Sequence, residues 1–238
     1  KQNASFSEIF TSRYVNTRFT NLLKFYKTSN LKNNSHPFYG VITRPFYFLH
    51  DPIRNTTLFQ RGNFLRRNLL CDKLPRPDLN AVNKRTVAFR AEQKTPLTHR
   101  QRGEQLTREH QCMKCHKKIN PLGAAMNQYN SFGQFVLTEK THFQGKTYVL
   151  PVSAKTTAKI SSIDEVETKS YQEFAPYLSR ARKLADCFIE RFSNYLFYPD
   201  PPQLDRQIID HYQAQLADPS VPFINVVTQF IADANLRH

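Results

Sequence analysis

Cys112, Cys115 and His116 stand in the run Cys-Met-Lys-Cys-His. The three side chains sit at i, i+3 and i+4, so on an α-helix they share one face. Two thiols one turn apart suit the two vinyl groups along one edge of a haem. The imidazole beside the second thiol then reaches the iron as proximal ligand. The chain holds 4 Cys and 8 His in 238 residues. Composition alone gives on the order of 0.002 such runs, so chance is a poor explanation. Two other chemistries use the same letters. A zinc site needs a fourth ligand, and the usual second ligand pair at short spacing is missing. A thioredoxin-like dithiol needs a βαβ setting, which the surrounding sequence does not show. One covalently attached haem c is the expectation.

The sixth iron position stays open at this level. Met126 lies ten residues beyond His116 and is the one Met outside the motif. As a ligand it would favour ferrous iron and raise the potential. His50, His99 and His142 are the histidine alternatives, and an unfilled position is another. Cys71 and Cys187 are left once haem takes its two thiols. An exported, oxidising location would let that pair form a disulfide.

Helices must position these groups. The spacing of Leu58, Phe64, Leu65 and Leu69 predicts a helix over 58–70, and Phe19–Lys27 reads as a short helical piece. Pro75 and Pro77 follow, and 71–97 reads as an extended basic connector. Thr98 and Gln101 fit a capping box that opens a helix running toward His110. Asn120-Pro121-Leu122-Gly123 should end the motif's helix, with Pro121 opening a short one through Asn127. Gln134–Glu139 and Lys146–Val152 alternate as two strands around a Gln-Gly turn. Beyond Tyr171 the pattern turns helical. Leu184, Phe188, Ile189, Phe192, Tyr195 and Leu196 form one stripe, and Leu204, Ile208, Tyr212 and Leu216 another. A last helix follows a Ser220 cap. The fold class expected is mainly α: a helical c-type haem domain with a small β-hairpin and a C-terminal helical module. The divisions are 1–97 for an N-terminal helical and irregular segment with its connector, 98–170 for the haem domain, and 171–238 for the helical module packed on it.

The aromatic share of 13%, with 19 Phe, suits burial of a large flat cofactor. Nothing approaches the roughly 18 apolar residues of a membrane helix, and a start at Lys1 reads as a mature or trimmed product. The formal net charge is +15. Residues 58–118 carry 15 Lys or Arg against 5 Asp or Glu, whereas 185–238 carry 3 against 7. A basic excess around the motif, including Lys114, Lys117 and Lys118, suits docking of an acidic redox partner. It is also the footprint of a nucleic-acid binder, but no nucleic-acid fold motif accompanies it.

The run Leu97–Phe135 resembles the cytochrome-like domain of the large planctomycete-type cytochrome c proteins. Thr98, Arg100 and Arg102 match one end of that pattern. Asn120, Pro121, Leu122, Gly123, Tyr129 and Gly133 match the other. Upstream, an Arg-Gly pair at 61–62, Leu69-Leu70-Cys71 and a proline run are similar to the preceding family segment. Downstream, Cys187 before a Tyr-containing helix is similar to the C-terminal module. The resemblance covers most of 40–235. It implies a periplasmic or extracellular bacterial redox protein, of which this chain would be the C-terminal part or a shortened relative. It supplies no substrate. The family's Phe, Phe, Glu and Asp fall on Ala124, Met126, Asn127 and Asn130. Loss of the acidic pair and gain of Met126 favour electron carriage over catalysis. A haem peroxidase or oxidase, and a haem-bearing structural subunit of an extracellular assembly, are the rivals.

Overall fold

The computed structural model describes residues 4–11, 58–130, 135–161, 164–198 and 206–235. The 19–27 helical piece, His50 and Leu204 lie outside the described residues. Within them the chain is mainly helical, with two small antiparallel hairpins.

Helix α1 spans Phe6–Thr11 and buries Phe6 and Phe10. It opens on a reciprocal Ser5–Glu8 cap, the Ser5 amide donating to Oε2 at 2.9 Å. Helix α2 spans Leu58–Phe64 and runs into a π-helical turn, Leu65–Leu69. The wider turn closes with the Leu70 amide on the Leu65 carbonyl. Leu58 and Leu65 are buried as their spacing predicts.

The extended connector expected over 71–97 is in part a helix, α3, spanning Leu79–Glu92. Asp78 starts it by accepting from the amides of Asn80 and Ala81. Its inward side is only Arg85 and Phe89. A helix that buries one cation and one ring leaves almost no apolar period, which is why the pattern hid it.

Helix α4, His99–Leu106, begins with the Thr98–Gln101 capping box. It stops at Leu106 rather than nearing His110, and a second helix, α5, spans His110–Ala124. The sequence reading breaks α5 at Pro121; the structure carries it straight through. Pro121 has no amide to bond the Lys117 carbonyl. Packing outweighs that loss, because Ile119, Asn120, Leu122, Gly123 and Ala124 are all buried.

Helices α2 and α5 cross in backbone contact. A Cβ on Gly62 would overlap the Ile119 carbonyl, and one on Gly123 would overlap the Leu58 carbonyl. Only glycine admits that approach at either position.

Strands β1, Thr138–Phe143, and β2, Lys146–Pro151, pair antiparallel from Thr138↔Pro151 to Phe143↔Lys146. The turn is Gln144-Gly145, both at positive φ, the tight hairpin geometry that matches strand twist. The first strand starts at Thr138, four residues later than the alternation suggests. A second hairpin, which the sequence reading did not include, joins β3, Thr156–Ala158, to β4, Val166–Thr168. Three-residue strands carry too little alternation to read.

Among the described residues four helices follow: α6 Tyr171–Ser179, α7 Arg182–Leu196, α8 Arg206–Ala217 and α9 Phe223–Asn235. Ser170 caps α6. Ser220 is not a cap; its hydroxyl and amide both go to Asp218 Oδ1. On α7 the stripe holds for Leu184 and Ile189, but Tyr195 is 80% exposed. One apolar cluster takes Phe6 and Phe10 from α1, Leu65, Leu122 and Met126, Ala158 and Ile160, and Phe174, Ile189, Tyr212 and Phe230. All three sequence divisions contribute to it. No helix among the described residues is long and apolar enough to cross a membrane.

Candidate functional site

Helix α5 has two faces with different work. Its last turns bury Leu122 and Ala124 in the core. Its first turns leave Cys112, Cys115 and His116 half-buried on the outward side. The helix brings these three together at the expected one-turn spacing. Burial pushes the Cys112 thiol up from its ordinary value. Glu109 adds to that push and Arg85 opposes it.

His116 is held from two directions. The Phe59 ring meets its imidazole edge-on, centroids 4.6 Å apart. Phe59 in turn lies against Gly103 of α4, where a Cβ would stand 3.2 Å from its ring. On the other side His116 Nδ1 is 2.9 Å from Asn120 Oδ1. Asn120 donates through Nδ2 to Thr107 Oγ1 at 3.0 Å, and Thr107 Oγ1 donates to the Gly103 carbonyl at 2.9 Å. Asn120 and Thr107 are both buried.

His116 lines a cleft of about 930 Å³, at the upper end of the range for ligand pockets. Met113, Lys117, Asn120 and Pro121 of α5 form one wall. Thr98, which caps α4, with Arg100 and Gln101 of α4 form a second, and Ser153, Lys155, Thr156 and Thr157 a third. The wall is stitched together: Arg100 donates to the Ser153 and Lys155 carbonyls, and Asn127 to the Ser153 carbonyl.

The structure does not bring Met126 to this cleft. Its side chain is 0% exposed inside the core cluster. His99 starts α4 without lining the cleft. Its imidazole is held below the ordinary value by burial, against the pull of Glu139 and with Arg102 and Arg61 adding to the shift. His142 is exposed on β1, its Nδ1 beside the Thr147 hydroxyl. Among the described residues, no three His, Cys, Asp or Glu side chains gather as a metal cage.

Residues 39–139 match the family model described as PSCyt3, protein of unknown function (DUF1588). This is a domain associated with planctomycete-type cytochrome c proteins. The match takes in Cys71, Cys112, Cys115, His116 and Met126, and covers under half of the chain. No curated protein matches the chain. No solved structure matches it.

Cys71 and Cys187 stand at disulfide-bonding distance with Cα atoms 5.3 Å apart. The bridge joins the end of the π-helical turn to α7. The charge around the motif divides in two. Arg61, Arg66 and Arg85 are buried: Arg61 donates to the Met126 carbonyl, Arg66 pairs with Asp72, and Arg85 pairs with Glu92 and Glu109. These hold the fold and are not docking charge. Lys114, Lys117 and Lys118 are all exposed.

Phe59, Asn120 and Thr107 were not legible as site residues. Asn120 follows His116 by four positions, so an Asn one helical turn past the motif histidine was the available signal.

Proposed function

We propose that this chain is a c-type cytochrome that carries electrons through one covalent haem. The observation that carries the reading is His116. It shares a helix face with Cys112 and Cys115, lines the cleft, and has its Nδ1 engaged by Asn120. That leaves Nε2 as the nitrogen for a metal. Histidines that bind metals commonly have their other ring nitrogen held this way. In this reading Cys112 and Cys115 would hold the haem through thioether bonds, and His116 Nε2 would bind its iron. Haem would supply one-electron iron chemistry. The chain's part is to fix the imidazole with Phe59 and Asn120. Spread along one turn, the two thiols suit the two positions on a haem edge. A zinc cage would need them to converge with other ligands.

Met126 belongs, in this reading, to the core rather than to the iron. With Met126 in the core, the sixth position would be open or filled by a histidine among His50, His99 and His142. An exported, periplasmic or extracellular location goes with the haem and with the Cys71–Cys187 pair. The exposed Lys114, Lys117 and Lys118 would guide an acidic redox partner.

The test is mass and extraction. Protein made in cells that can attach haem c should exceed its polypeptide mass by one haem and keep it through acid–organic extraction. Cys112→Ser with Cys115→Ser should release it. Haem that extracts freely from the unmutated protein, or a protein carrying only zinc, sinks the reading.

A further inference from the structure

The relay behind His116 has only one consistent set of protons. The Gly103 carbonyl can accept but not donate, so the Thr107 hydroxyl spends its proton there, at 2.9 Å. Thr107 Oγ1 can then only accept from Asn120. That turns the Asn120 amide so that Nδ2 faces Thr107 at 3.0 Å and Oδ1 faces His116 at 2.9 Å. A carbonyl oxygen at that place demands a proton on Nδ1. The lone pair of the imidazole is therefore on Nε2. Each partner is held independently. Thr107 ends α4, its amide also on the Gly103 carbonyl. Asn120 lies within the α5 stretch that is locked against α2 at Gly62 and Gly123.

We infer that Asn120, oriented by Thr107, is a positioning residue that sets the tautomer of His116 and the electron density it gives to iron. This rests on the haem reading above and deepens it. A neutral amide oxygen draws only modestly on the Nδ1 proton. A carboxylate at the same place would draw harder, make the imidazole a stronger donor and favour ferric iron. An apolar side chain would do the reverse and free the ring to turn.

The experiment measures midpoint potential and the iron–histidine stretching frequency of holo-protein for the unmutated chain, Asn120→Asp, Asn120→Leu and Thr107→Val. Covalent haem content is measured by mass on every sample. Asn120→Asp should lower the potential and raise the stretching frequency. Asn120→Leu should move both the other way. A tenfold change in relative binding to the two iron states corresponds to about 59 mV for a one-electron couple. Thr107→Val keeps the shape but lets the amide flip, and should shift the potential in the same direction as Asn120→Leu, by less. A role in packing alone would not give opposite signs for Asp and Leu. Unchanged or same-sign shifts with haem still attached overturn the inference. Absence of covalent haem from the unmutated protein overturns the haem reading instead. If Asn120→Leu does not fold, the Asp and Thr107→Val pair decides by sign.

Discussion

Met126 shows how one residue can look chemical in sequence and structural in space. Ten residues past the motif histidine is a reasonable place for a thioether ligand. Nothing in a single sequence says which way that side chain turns. The structure seats it in the core, where the fully buried set also includes Leu65, Leu122 and Phe174. Met126→Leu keeps volume and apolarity, so it should cost under about 1.5 kcal/mol of stability. Midpoint potential and the rate of cyanide binding should match the unmutated protein. A lowered potential with fast cyanide binding would place the sulfur on the iron after all. At this scale the placing of Cys112, Cys115 and His116 on one helix was legible, because their spacing is a helical one. Asn120 and Thr107 were not. Asn120 had only its place one turn past His116 as a signal, and its bond to Thr107 at the end of α4, thirteen residues away, has no local signature.

Helices α2 and α5 define the element scale, since their crossing sets where the motif's helix sits. Local signals found what was local: the Thr98 capping box, the Gln-Gly turn and the amphipathic α7. They failed where tertiary packing overrode propensity. Pro121 is a helix breaker on paper, yet α5 continues because its buried face outweighs one lost hydrogen bond. The same packing makes Gly62 and Gly123 irreplaceable. A methyl at either would meet backbone, which cannot rotate away as a side chain can. Gly123→Ala should therefore destabilise by at least the 1–3 kcal/mol or so of an overpacked core. A neighbouring control, Ala124→Gly, should cost about 1 kcal/mol through helix propensity. Denaturant midpoints of the two variants give the comparison. If Gly123→Ala is as stable as the unmutated protein, the helices do not cross this closely.

Across the whole molecule, the apolar cluster joins α1, the motif's helix, the second hairpin and the C-terminal helices. The site is thus anchored by segments far from it in sequence. The bridge between Cys71 and Cys187 reinforces that arrangement over a separation of 116 residues. Cys71 sits at a positive φ of 50° just after the π-helical turn. There the chain reverses out of α2, and Asp72 pairs with Arg66 and Lys183. Cross-linking this point to α7 removes a large loop's freedom from the unfolded chain. By loop-closure entropy that is worth about 4 to 5 kcal/mol. The double variant Cys71→Ala with Cys187→Ala should lose most of that in denaturant unfolding, and mild reduction of the unmutated protein should have the same effect. The motif lies inside the closed loop, but its anchors to α2 and α4 do not run through the bridge. On the proposed haem reading, the variant should therefore keep haem content and potential while unfolding at lower denaturant. Loss of potential together with stability would mean that the bridge, rather than the α2–α5 crossing, holds the imidazole in place. Two reactive thiols in the denatured, unreduced protein would mean that no bridge forms.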